Sequence, residues 1–168
     1  PMVFDLDNAA SSPMPIQYAP KFGSRIGVMP RDGGSSDVVW YEVDTCFLFH
    51  SFNAYESAQG RIVIEGSRIE TLWEDGLKAD SPLPMGIPWR WSINTKTGAV
   101  SENAIMDLAL DFPTIDRRAQ GVAHRMNYGL RLRAETADHP MHPDGVIAHD
   151  RQTGGINVWD CGYAVQPD

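Results

Sequence analysis

Cysteine is scarce in this chain: Cys46 and Cys161 are the only two in 168 residues, and they lie far apart. No disulfide framework can be read from such a pair, and Cys46 sits inside an apolar, strand-like run. Two reduced, unpaired thiols in a cytoplasmic protein are therefore expected. No hydrophobic run approaches the ~20 residues needed to cross a bilayer. No signal-peptide pattern opens the chain, and no low-complexity tract interrupts it. Basic residues are outnumbered, 14 against 22 acidic ones, for a net charge of −8. Without a lysine/arginine cluster, that balance excludes a nucleic-acid groove and describes a solvated acidic surface. There is no G-x-S-x-G elbow, phosphate loop or dinucleotide fingerprint, so serine-hydrolase and nucleotide-dependent chemistry have no support.

What the chain does have is turn chemistry at short intervals. Clusters at residues 31–37, 57–60, 97–98 and 152–155 separate short apolar runs, the rhythm of an all-β protein built from hairpins, sandwich or propeller. Strands are expected at residues 1–6, 23–29, 38–43, 46–52, 61–65, 89–94, 124–132, 146–150 and 156–159. Residues 104–110 suit strand or helix, and strand is favoured by their neighbours. Residues 7–20, 80–88 and 134–145 read as loops, and Ile69, Leu72 and Trp73 have the spacing of a helix of about two turns. Trp40, Trp89, Trp91 and Trp159 lie in or beside strands and are expected to pack in the core or between sheets.

The chemistry-bearing stretch is Cys46-Phe47-Leu48-Phe49-His50-Ser51-Phe52-Asn53-Ala54-Tyr55-Glu56. Alternation puts Cys46, Leu48, His50 and Phe52 on one face and Phe47, Phe49 and Ser51 on the other. Both faces are apolar enough for a strand covered on both sides and broken at Asn53. A histidine held there is partnered, neutral or bound to a metal. From the residues alone a satisfied core histidine is the plainer reading. Asn53 suits a turn leaving the strand, and Glu56 reads as structural. His139, His142 and His149 read as part of an irregular surface loop, and His124 as a strand-edge residue.

The run Phe49 to Glu56 resembles the F-H-x-x-N-A-Y-E signature of the carotenoid cleavage oxygenases. Three further stretches agree in order. Residues 23–31, ending in Arg31, resemble the strand that precedes the histidine motif. Trp91-Ser92-Ile93-Asn94 with Thr97-Gly98 resembles the family's hairpin. Asp111-Phe112-Pro113-Thr114-Ile115-Asp116-Arg117-Arg118 resembles E-F-P-x-I-D-x-R, followed by Gly121 and His124-Arg125.

The resemblance implies a seven-bladed β-propeller, of which residues 1–168 would form two to three blades. A full family member is much longer, and the chain opens in mid-pattern at Met2-Val3-Phe4, so the central part of one propeller domain, truncated at both ends, is expected. It implies iron(II) held by four histidines, with His50 as the one ligand in this chain. Asp111 stands where the family carries a glutamate that takes the second N–H of a ligating histidine. Being one methylene shorter, it would need a backbone shift of about 1 Å or a bridging water to do so. An ordinary turn-entry carboxylate is the alternative. The implied reaction is cleavage of a C=C bond in an apolar conjugated substrate, a carotenoid, apocarotenoid or stilbene, with O2. There is no transmembrane segment, and room for peripheral membrane contact in the full-length protein. The competing readings are isomerohydrolase chemistry and a non-catalytic propeller module with a buried histidine.

Overall fold

The computed structural model describes residues 1–7, 9–10, 15–72, 85–133 and 142–161, with backbone alone for 132, 133 and 142. Twelve strands run in chain order: β1 (Met2–Phe4), β2 (Ile16–Tyr18), β3 (Ser24–Val28), β4 (Val39–Val43), β5 (Phe47–Glu56) and β6 (Ile62–Ile69), then β7 (Ile87–Ile93), β8 (Val100–Ala104), β9 (Leu110–Thr114), β10 (Met126–Arg133), β11 (His142–Asp150) and β12 (Ile156–Asp160). Every pairing is antiparallel, and each joins sequence neighbours. Two four-stranded meanders result, β5-β6-β7-β8 and β9-β10-β11-β12, beside the two-stranded pairs β1-β2 and β3-β4. Four of the connections between paired strands, those after β3, β5, β7 and β11, fall at the four expected clusters, because those short polar, glycine-bearing stretches cannot extend a strand.

The two meanders meet across an apolar core of Phe52, Met106, Leu110 and Ile147, flanked by Ile105, Leu108 and Ile115. Each such side chain contributes about 1.5–3 kcal/mol on burial. One polar stitch crosses the same seam: the Ser67 hydroxyl on β6 donates to the Leu110 carbonyl at 2.7 Å. A second apolar cluster, Tyr18, Ile69 and Leu72 with Met2 and Phe47, seats β1-β2 against the first meander.

Several sequence expectations need correction. Residues 105–109 are not a strand; they link β8 to β9 and are tied to the β7 side through Ile105 N–H to Pro88 O and Leu110 N–H to Gly86 O. Apolar content there serves the seam core rather than a ladder. Within residues 7–20, the structure places β2 and a 3₁₀ turn beginning at Pro20. Strand β11 begins inside the stretch read as a loop, at His142, whereas residues 134–141 lie outside the described residues. So does most of the expected helix beyond Leu72, and Ile69 closes β6 instead. Trp91 is buried, but Trp40 and Trp159 are largely exposed, with the Arg25 guanidinium 4.2 Å over the Trp40 ring.

Strand β5 departs furthest from its pattern. It runs through Asn53 to Glu56 instead of breaking, and it is not covered on both sides: Leu48, Phe49, His50 and Ser51 are exposed, while Phe52, Asn53 and Tyr55 are buried. Register shifts between Leu48 and Ser51, and again between Ser51 and Asn53, defeat simple alternation.

Candidate functional site

His50 stands on the irregular half of β5 and faces across the seam to β9. Its Nδ1 lies 2.8 Å from Asp111 Oδ1. A carboxylate oxygen accepts, so Nδ1 donates and, in the neutral ring, Nε2 presents its lone pair. Among the described residues Nε2 has no hydrogen-bond partner, and the His50 side chain is 43% exposed against 21% for Asp111. Two phenyl rings lie near-parallel to the imidazole, Phe112 at 5.1 Å between centroids and Phe49 at 5.9 Å, each inclined by 26°. A ring pinned at one nitrogen and open at the other is the form in which histidine binds a metal.

The short aspartate reaches His50 directly, with neither gap nor bridge. Strand β9 carries one extra residue against β10: Tyr128 pairs with Thr114, but Leu130 pairs with Asp111. Within that bulge Phe112 has φ of 50°, the one positive value outside glycine among the described residues. Such backbone costs about 1–3 kcal/mol and concentrates at functional sites, and a following proline (Pro113) disfavours it further. Bulges next to sites re-aim a side chain.

The irregular stretch of β5 and the bulge of β9 each rest on a glycine of the partner strand. Opposite β5, a Cβ on Gly66 would come within 2.9 Å of the His50 carbonyl and 2.6 Å of a Leu48 methyl. Opposite β9, a Cβ on Gly129 would meet a Leu110 methyl at 2.8 Å and the Asp111 carbonyl at 3.2 Å. An isolated glycine inside a strand pattern signals such an approach, which is how residues 66 and 129 could have been found from sequence.

The same seam holds a buried charged knot. Glu65 on β6, fully buried, accepts through Oε1 from Arg90 Nε and from Arg151 Nη2, both at 2.7 Å, and its Oε2 faces His124 Nε2 at 3.4 Å. Arg151 also donates to the Tyr55 hydroxyl at 2.9 Å and to the His124 carbonyl. His124 donates from Nε2 to Asn127 Oδ1 at 2.6 Å, and its Nδ1 faces Asn53 Nδ2 at 3.1 Å. Burial pulls both His124 and His149 below the ordinary histidine range, and the Arg151 charge adds to it. Asn53 is therefore no turn residue: its side chain accepts from Gly121 N–H and donates to the Val122 carbonyl, clasping the loop after β9.

The sequence-marked residues divide accordingly. The fold brings His50 and Asp111 together and puts His124 in the knot; His149 is buried on β11, where it feels the charges of Arg151 and Glu65, and is not part of a surface loop. His139 lies outside the described residues. Cys46 and Cys161 are both free thiols, with burial raising the pKa of Cys46. Among the described residues no group of three or more His, Cys, Asp or Glu could hold a metal by itself. Two clefts of about 790 and 830 Å³ flank β5, the first lined by Trp40, Leu48 and Trp91, the second by Ser51, Asn53 and Pro113; neither counts His50 in its lining.

The family model described as retinal pigment epithelial membrane protein matches residues 1–167. The chain belongs to this family, that of the carotenoid cleavage oxygenases. A carotenoid cleavage oxygenase from Mycobacterium tuberculosis is 34% identical over 128 residues, covering 73% of this chain and 25% of that protein. Isoeugenol monooxygenase from Pseudomonas putida is 26% identical over 155 residues, 85% of this chain and 30% of its own. Among solved structures, cobalt-substituted Synechocystis ACO superposes with a TM-score of 0.76 at 20% identity, over 96% of this chain and 35% of that one. The chain thus spans about a quarter to a third of the length of these oxygenases. The fold is that of a β-propeller enzyme, and the two four-stranded antiparallel meanders have the form of its blades.

Proposed function

We propose that this chain is the central part of a non-haem iron(II) oxygenase that cleaves a C=C bond in an apolar conjugated substrate with O2, giving two carbonyl products. His50 supplies one of four imidazole ligands, and segments outside the 168 residues supply the others. The observation that carries this reading is the His50–Asp111 hydrogen bond of 2.8 Å, which leaves Nε2 unpartnered on a half-exposed ring.

The donor set fits. Imidazole suits ferrous iron, and a carboxylate on the far nitrogen fixes the tautomer and raises the ring's basicity. When bound, the metal supplies the activation of O2. The chain's own part is to present Nε2 in one orientation, to hold the Nδ1 proton on Asp111, and to place the phenyl rings of Phe49 and Phe112 beside the site. The relatives support this substrate class, their names specifying carotenoids, apocarotenoids and isoeugenol. Two free thiols suit a reducing, cytoplasmic setting. No described helix is long and apolar enough to cross a membrane. A non-catalytic module with a satisfied histidine fits less well, because Nε2 has no hydrogen-bond partner among the described residues.

The test is His50→Ala in the protein that contains this chain, with iron content and turnover of conjugated alkenes measured under O2. Loss of both is expected; a variant that keeps its iron and its turnover refutes the assignment.

A further inference from the structure

We propose that Phe112 is a positioning residue. Its left-handed backbone delivers the Asp111 carboxylate to His50, and its ring holds the plane of the imidazole before any metal arrives. The consequence for metal affinity rests on the reading of His50 as a ligand; the consequence for the ring does not.

Three observations converge on this residue. Phe112 takes the disfavoured φ of 50° immediately before Pro113, although asparagine or glycine is the usual occupant of such backbone. Within these 168 residues it obtains no core packing in return, being 60% exposed. Its ring stacks on His50, at 5.1 Å and 26°. A large apolar residue that is strained and solvent-facing at once needs a reason outside the core, and the imidazole is what it touches.

The geometry supplies that reason. A single hydrogen bond to Asp111 fixes one atom of the ring but leaves its plane free to turn about that bond, and at a half-exposed site water competes for the bond. A near-parallel phenyl face removes the rotation. The bulge answers the other difficulty, the missing methylene of aspartate, because the extra residue on β9 advances Asp111 toward β5. Gly129, whose Cβ would crowd the Asp111 carbonyl, lets β10 close over the bulge. Backbone and ring of one residue therefore set both coordinates of the imidazole.

The experiment compares Phe112→Leu, Phe112→Asn and Phe112→Tyr with the parent protein containing this chain, using His50→Ala as reference. In the metal-free state, NMR of selectively labelled histidine reads the ring-current shift that a stacked phenyl imposes on the His50 ring protons. Cobalt(II) titration then reads affinity. Leu and Asn should lose the upfield shift and bind cobalt about 10–100-fold more weakly, the range for losing a supporting partner of a ligand, while Tyr stays near the parent. Unfolding temperatures should hardly move for Leu and Tyr, and Asn, which tolerates left-handed backbone better, should not lower them. Unchanged ring shifts in the Leu and Asn variants overturn the proposal, and so does a lost shift with unchanged affinity when His50→Ala abolishes binding. If His50→Ala binds cobalt like the parent, the metal reading fails, and the ring shifts alone decide the role of Phe112.

Discussion

Two of the polar contacts across the seam between the meanders are built on opposite terms. At the Glu65 knot a fully buried carboxylate is held by two arginines, with His124, Tyr55, Asn127 and Asn53 in the same network. At the His50–Asp111 pair one hydrogen bond joins two side chains that solvent reaches. Burial makes every group in the knot costly to leave unpaired. Exposure makes the pair worth little to stability but leaves a nitrogen available. One crossing fastens the blades; the other sits on the platform so fastened.

That contrast breaks most plainly at Glu65. Glu65→Ala leaves Arg90 and Arg151 facing each other without a counter-charge, and the expected loss is about 3–5 kcal/mol, the range for halving a buried pair. Denaturant unfolding measures it. Asp111→Ala should change stability by less than about 1 kcal/mol, as for exposed pairs, yet lower metal affinity about 10–100-fold. If the two variants show the same pattern, with stability and affinity falling together, the division of labour is wrong.

Part of this was legible in the sequence. Turn clusters at residues 31–37, 57–60, 97–98 and 152–155 placed the hairpins, because glycine-rich polar stretches end strands by local chemistry alone. His50 and Asp111 stood out through motif resemblance, and the fold sets them side by side. Three features were hidden. Bulges are invisible to alternation, so the exposure of residues 48–51 was misjudged. The seam core drew Ile105, Met106 and Leu108 from a segment whose apolar content imitates a strand. Glu65 looked like the polar end of a hairpin strand, since its partners Arg90 and Arg151 are 25 and 86 residues away.

Gly66 sharpens the comparison, because every atom that a Cβ there would meet belongs to the His50 stretch of β5, even though its chain neighbour is Glu65. Gly66→Ala puts a methyl 2.9 Å from the His50 carbonyl and 3.2 Å from Ser51 Cα, both backbone and unable to swing aside. An overpacking cost of about 1–3 kcal/mol is expected, with a displaced imidazole and weaker metal binding. Gly129→Ala should cost less, since its nearest obstacle is a Leu110 methyl that can rotate. Equal costs, or a Gly66→Ala variant with parental affinity, would show that the β5 bulge does not place His50.

The smallest effect concerns acid. His124 donates from Nε2 and accepts at Nδ1, so both nitrogens are used by the neutral ring. Protonation would turn Nδ1 against the Asn53 amide, and would add a cation beside Arg90 and Arg151, offset only by Glu65. Burial likewise holds His149 low, with Arg151 opposing its charge and Glu65 and Asp150 favouring it. Both folded-state values lie below the unfolded one near 6.5. The unfolded chain therefore binds more protons as pH falls past that value, and stability, full above it, declines on the acid side. Asp150 follows the same sign, its carboxyl held far down by Arg125, but its unfolded value is 3.8, so its loss begins below the histidine window. Denaturation midpoints at pH 7.5 and pH 5 (roughly one pH unit or more on either side of the unfolded histidine value) should thus fall on acidification, and His124→Gln should flatten the difference. A midpoint that rises toward acid would mean that the knot holds its histidines charged.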